Sequence, residues 1–444
     1  MRITRSRLLR VGIILLGVAL SLPAAAQTNE EVFQQFQWNF STPGARANAM
    51  GRAFIGAADD ASAAITNPAG LMALTRPQVY AEVKSTGLYI ERLAAIDSLD
   101  TGATRLFGEA VSGLSFFDVA LPIGSRLAVA FSRHEFLRHR EIFKLAPRPI
   151  PNHPDNSAFY PVDGDVDFRG VSWAGSIAAA LTGQLRLGVT VSFDQLDGQS
   201  TSVRRDFDFG STKYDLHETS IIVNQSTIDD SATATSVKAG LVFQPNEAFS
   251  AGLMWASGSR FDLSEDFQYN PGRNSGVNQT LVSFTGFPKT ISINVPDRFG
   301  AGVAWRPLSR LLVVADALRI RYSDLSKNVT PIISHSVLTG DEFTVKDATE
   351  IHVGAEYAVL AGANPVFVRA GLFTNPDHRM RFTGSSDAGV NATNTALFNL
   401  GPKGTETGYT AGAGLAVGRQ LQADVAFVYT KSARELVVSA AVRF

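Results

Sequence analysis

The chain has 444 residues, no cysteine, and 40 Lys and Arg against 41 Asp and Glu. The even charge gives no electrostatic basis for a nucleic-acid partner, and the missing cysteine excludes a disulfide framework. With 38 Gly, 29 Phe and 18% charged residues, laid out in short alternating segments, the first expectation is an all-β protein.

Arg2, Arg5, Arg7 and Arg10 precede an apolar run from Val11 to Leu20 and the small residues Ala24, Ala25 and Ala26. This is the pattern of a secretory signal peptide over residues 1–26, and the run falls short of the roughly 20 residues of a spanning helix. Residues 27–75 read differently from the rest. They are dense in Ala and Gly, carry Asp59 and Asp60, and lack alternation, so they cannot form wall. Phe33, Phe36, Trp38, Phe40, Phe54 and Ile55 are too much apolar surface to leave in water, which makes a plug the expectation.

From residue 76 to 444 the chain alternates like strand. Strands are expected at Arg76–Arg92, Ser112–Ile123, Arg126–Arg138, Phe168–Leu181, Gln184–Leu196, Ala232–Gln244 and Ala248–Phe261. They continue at Pro296–Arg306, Arg310–Tyr322, Ala348–Leu360, Pro365–Phe373, Thr405–Val417, Gln420–Thr430 and Arg434–Phe444. Tight connections such as Gly124-Ser125, Thr182-Gly183 and Gly418-Arg419 alternate with long ones: Leu93–Val111, Glu141–Asp167, Asp197–Ser231, Asp262–Val295, Ser323–Asp347 and Thr374–Gly404. About fourteen strands with that parity of turns predict an antiparallel transmembrane β-barrel in the bacterial outer membrane, short turns on the periplasmic side. A soluble sandwich has no reason to keep the parity.

The faces agree. Leu436, Val438, Ala440, Val442 and Phe444 fall on one row of the last strand, with Glu435, Ser439 and Arg443 on the other. A closing strand that ends on Phe resembles the signal by which the outer-membrane insertion machinery recognises its clients. Lipid and lipopolysaccharide are the expected surroundings. Fourteen strands enclose space that must be open or plugged, and residues 27–75 are the expected plug.

Gly51-Arg52-Ala53, Ala58-Asp59-Asp60-Ala61 and Asn67-Pro68-Ala69-Gly70-Leu71 resemble the hatch signature of the FadL family of outer-membrane transporters for long-chain fatty acids and other hydrophobic compounds. Val295–Pro307 and Phe367–Leu372 are similar to wall segments of that family. The resemblance implies a hatch-closed fourteen-stranded barrel that takes up hydrophobic solutes passively. A groove passes the solute to an inner pocket, and hatch movement and a kink in the third strand release it sideways. Here alternation weakens over Ser132–Glu135. The hatch and gating candidates are Phe33, Phe36, Phe40, Gly51, Arg52, Asp59, Asp60, Asn67, Pro68 and Ala69, with Arg52 placed to pair with Asp59 or Asp60. The groove candidates are Phe207, Phe209, Tyr214, Phe267, Tyr269, Phe284 and Phe287.

Inward charges Glu350, His352, Glu356, Arg369, Asp424, Glu435 and Arg443 are expected mainly as wall-to-hatch ion pairs, with Arg369 the one candidate for a ligand head group. No cofactor, metal or catalytic site is expected. The seven histidines have no metalloenzyme spacing, and Asp163-x-Asp165-x-Asp167 lacks the Gly and the bidentate acid of a calcium loop. A second reading is a barrel used as a protein-binding platform, similar to a PorV-type secretion shuttle. A lumen packed solid favours that alternative.

Overall fold

The computed structural model describes residues 42–93, 104–107, 109–209, 216–283, 290–326, 343–360, 362–385, 387–399 and 404–444. Fourteen antiparallel strands make one closed wall: β1 Gln78–Leu88, β2 Ala110–Ile123, β3 Leu127–Leu145, β4 Val162–Ala180, β5 Leu185–Phe209, β6 Leu216–Asn246 and β7 Phe249–Ala256. They continue with β8 Arg298–Leu308, β9 Leu311–Ile320, β10 Ala348–Leu360, β11 Val366–Pro376, β12 Thr405–Val417, β13 Leu421–Tyr429 and β14 Ala433–Arg443. The last strand pairs with the first from Gln78↔Arg443 to Leu88↔Ala433. Closure removes the unpaired edges that lipid cannot solvate.

Period-two alternation sets which row faces lipid. Val83, Leu253, Leu372, Val425, Leu436 and Val438 point outward and are exposed, while their sequence neighbours Glu82, Glu435, Val437 and Ser439 are buried in the lumen. Phe131, Trp173 and Phe193 form part of an outer aromatic girdle: Trp173 and Phe193 are in register, and the Phe131 and Trp173 rings stack at 5.9 Å. One step further along the same row come Arg133, Val171 and Gln195.

Two expected loops prove to be wall. Over Glu141–Asp167 and Asp197–Ser231 the strands run on, β3 to Leu145, β4 from Val162, β5 to Phe209 and β6 from Leu216. The ladder needs only partners, and these strands pair with one another well past the last lipid-facing residue. The expected strand Ala248–Phe261 breaks at Ser257-Gly258, resuming over Ser259–Tyr269 against Thr290–Val295. Asp297 accepts the Gly258 amide at 2.6 Å and fixes that bend. An eleven-residue helix, Ala388–Phe398, lies within the expected loop Thr374–Gly404 and is capped by Asp387, whose carboxylate accepts the Val390 amide.

Residues 42–75 fill the end of the lumen near the short turns as two short helices, α1 (Ala45–Ala49) and α2 (Ala63–Thr66), and a 3-10 turn over Pro68–Ala73. Their alanines pack against Ala120, Ala128, Ala130, Ala174, Ala178 and Ala304 of the wall. On the facing strands the wall withdraws its side chains altogether. A Cβ on Gly354 would sit 2.2 Å from the Met50 carbonyl oxygen, one on Gly371 2.2 Å from the Gly51 nitrogen, and one on Gly252 2.2 Å from the Ile55 oxygen. On Gly188 it would meet the Pro68 backbone at 2.3 Å.

Gly354→Ala is therefore expected to cost about 1–3 kcal/mol through overpacking at the hatch. Thermal unfolding in detergent together with trypsin access to Arg46 and Arg52 measures it; an unchanged midpoint with full protection rejects this account.

Candidate transport path

Short helices leave most of their backbone groups without intrahelical partners, and a plug inside a barrel has little water to supply them. The wall supplies them instead. The Asp316 carboxylate accepts the amides of Phe54 at 2.6 Å and Ile55 at 2.8 Å. Glu82 accepts from Gly44, Thr190 donates to the Ala64 carbonyl, Ser250 to Gly56, and Thr410 to Ala49. Asn67 donates from its side-chain amide to the Ile55 carbonyl at 2.9 Å and to Leu241 of the wall at 3.3 Å.

Charge adds a second layer of attachment. Arg46 of α1 binds Glu356 through Nε at 2.8 Å; Arg369 reaches the same carboxylate at 2.6 Å and Asp424 at 2.7 Å. Asp59 pairs with Arg46 and lies 3.5 Å from Arg306. Two expectations change here. Arg52 pairs with neither Asp59 nor Asp60 but with Glu435 of β14 at 3.1 Å, its guanidinium over the Phe373 ring. The left-handed turn at Gly51 and Arg52, both at φ 67°, carries that side chain to the wall. Asp60 accepts instead from the Ser62 amide and hydroxyl. Arg369 is the other change: its side chain is inaccessible inside the chain Arg46–Glu356–Arg369–Asp424, so it acts as a lock between wall and hatch, with only its Nη2 left without a hydrogen-bond partner.

On the other side of the barrel the wall is incomplete. Among the described residues the β2–β3 ladder runs only from Ile123↔Leu127 to Phe116↔His134, although both strands continue beyond it. Each strand turns away through a bulge, β2 at Ser115 against β1 and β3 at Phe136 against β4. The alternation that weakens over Ser132–Glu135 thus ends in a real irregularity one residue later. Arg133 spans the start of the gap and donates to the Leu114 carbonyl at 2.5 Å. A cavity of about 210 Å³ opens behind it, reaching from Val111, Ser112 and Gly113 past Lys84 to Arg52 of the hatch.

Toward the long-loop end the lumen closes over an apolar core. Phe136, Phe143, Phe168, Leu196, Ile228, Phe261 and Leu263 of the wall meet Phe343, Phe382, Leu397 and Phe398 from the loops. Of the expected groove residues, Phe267 is buried, Phe207 packs edge-on against Tyr160 at 5.4 Å, Tyr269 sits half-exposed, and Phe209 ends β5. Phe33, Phe36, Phe40, Tyr214, Phe284 and Phe287 lie outside the described residues. Of the wall residues in this core, Phe143, Ile228 and Leu263 were missed because they lie on strand extensions taken for loops. Their signal is an inward apolar row that persists after the outward row turns polar, as at Leu196 beside Gln195 and Asp197.

A closed barrel with a lipid-facing apolar row, a docked hatch and a gap in one ladder belongs to the class of outer-membrane channels. The sequence profile of the family described as Outer membrane protein transport protein (OMPP1/FadL/TodX) matches residues 153–440, and the chain belongs to that family. A FadL homologue from Pseudomonas aeruginosa has a similar structure, with TM-score 0.63 at 15% identity over 91% of this chain and 99% of that one. The Ralstonia pickettii toluene transporter TbuX superposes with TM-score 0.57 at 14% identity, covering 92% and 100%. The Pseudomonas putida toluene transporter TodX gives TM-score 0.57 at 12% identity, covering 92% and 99%. No curated protein matches the sequence.

Removing the shared carboxylate leaves two buried guanidinium groups facing each other. Glu356→Gln is expected to destabilise the folded protein by about 3–5 kcal/mol. Chemical denaturation of the detergent-solubilised barrel reads it, and a loss under 1 kcal/mol rejects the lock.

Proposed function

We propose that the protein carries hydrophobic small molecules, long-chain fatty acids or aromatic hydrocarbons, passively across the bacterial outer membrane. The observation that carries the reading is the interrupted β2–β3 ladder with a cavity behind it that reaches the hatch. A greasy solute gains roughly 0.8 kcal/mol per methylene on leaving water for apolar surroundings, and nothing from a water-filled pore. The apolar core under the loops receives it, the cavity passes it, and the gap releases it sideways into lipid. Gly51, Arg52, Asp59, Asp60, Asn67, Pro68 and Ala69 hold the floor against which it turns. No catalysis or cofactor is part of this cycle. The solved toluene transporters of like fold support the hydrophobic class of solute.

The platform reading requires a solid lumen, and the cavity beside Lys84 and Arg52 weighs against it. Recognition by the insertion machinery is supported by the apolar outward row of β14, the strand that closes the barrel. The polar outward row beyond the girdle suits contact with lipopolysaccharide.

Gly113 has open space where its side chain would be. Gly113→Trp is expected to fill the gap and reduce uptake of labelled oleate or toluene by cells at least tenfold while the barrel stays folded. Unchanged uptake of both solutes by cells lacking the protein sinks the transport reading; normal uptake by the Trp variant sinks the lateral route.

A further inference from the structure

We infer that a groove on the lipid-facing side of the wall, crossing β6 to β9 and ending at Arg319, seats one lipid A unit of lipopolysaccharide, an acyl chain along the groove and a phosphate on the guanidinium.

The groove holds about 530 Å³, within the roughly 300–1,000 Å³ typical of sites for small ligands. Small residues of the outward row cut its floor. Ala301 of β8 and Ala317 of β9 are a direct cross-strand pair, and Ala239 of β6 extends them. Leu253, Trp255 and Phe299, all exposed, stand along it as banks. The inward row is equally thin here. A Cβ on Gly240 would lie 2.0 Å from the Asn67 side chain, and one on Gly300 2.4 Å from that of Ile55, while the backbone of both glycines lines the groove. Little more than main chain separates hatch from lipid, so the contacts that seat the plug also fix the groove. An acyl chain lying in it supplies the dispersion contacts that large outward side chains would have made.

One end of the groove is polar. Trp255, Phe299, Arg319 and Thr349 follow one another in register across β7, β8, β9 and β10, which sets the guanidinium in an aromatic row near the long-loop end of the wall. Arg319 is half exposed and loosely held. It donates to the Thr349 hydroxyl at 3.4 Å and lies 3.8 Å from Asp347, near the limit of both interactions. Asp347 precedes β10 on the long-loop side and already accepts the Ser323 amide at 2.9 Å. Arg321, the next outward residue, is held by Asp297 at 3.1 Å. No Asp or Glu lines the groove itself.

Depth and charge together select the occupant. Short turns lie on the periplasmic side, so the Arg319 end of the groove sits in the outer leaflet, whose anionic lipid is lipopolysaccharide. A planar guanidinium matches a phosphate through two parallel donors. The site is on the other side of the barrel from the β2–β3 gap, which a seated lipid leaves clear.

Native mass spectrometry of the full-length protein in detergent, titrated with bisphosphorylated lipid A or with phosphatidylglycerol, tests the assignment. Wild type is expected to hold one lipid A at least tenfold more tightly than phosphatidylglycerol. Arg319→Gln is expected to weaken lipid A at least fivefold, and Ala317→Trp, which fills the floor, at least tenfold, with phosphatidylglycerol unchanged in both. Both substitutions face lipid, and heat-modifiable gel mobility checks that the barrel is folded. Equal affinity of wild type for the two lipids, or lipid A binding that either folded variant leaves unchanged, overturns the inference.

Discussion

The contact on which the rest depends is backbone against backbone, where the hatch meets the glycine-bearing strands of the wall. Gly188, Gly240, Gly252, Gly302, Gly354, Gly371 and Gly412 occupy inward positions on neighbouring strands, several as direct cross-strand pairs such as Gly240↔Gly188, Gly302↔Gly252 and Gly354↔Gly371. Without a Cβ there, the hatch main chain reaches wall atoms at van der Waals distance, and the serine, threonine and carboxylate groups beside the glycines reach its amides and carbonyls. Glycine weakens a strand. The ladder hydrogen bonds on both sides of each strand carry that cost, and the hatch gains a socket of fixed shape.

From this follows an asymmetry across the lumen. On the glycine side the hatch is held by close contact and by Arg46, Glu356, Arg369 and Asp424. On the opposite side the wall has parted between β2 and β3 and a cavity separates it from the hatch. A solute descending the barrel meets a firm floor and an open flank.

Much of this was legible in the sequence, for reasons of range. Alternation and turn chemistry are local, so every wall strand was visible and the tight turns fell where Gly124, Gly183 and Gly418 predict. Loops and strands look alike once the outward row turns polar, which hid the upward run of β3 to β6. Pairings were harder still. Arg52 meets Glu435 across 383 positions, and Arg46, which anchors α1, carries no local sign of its partner 310 residues away. A row of glycines likewise reads as turn-forming until the strands are set side by side.

The depth of the wall's gap has a further consequence. The ladder ends at Phe116↔His134, level with Phe131, Trp173 and Phe193 at the outer rim of the apolar band. An opening at the middle of the bilayer would force a polar end through hydrocarbon, where a charge costs at least about 2.5 kcal/mol. An opening at the rim lets the tail slip between acyl chains while the polar end stays among lipid head groups. The gap in the wall thus lies at the depth where lipid head groups meet acyl chains.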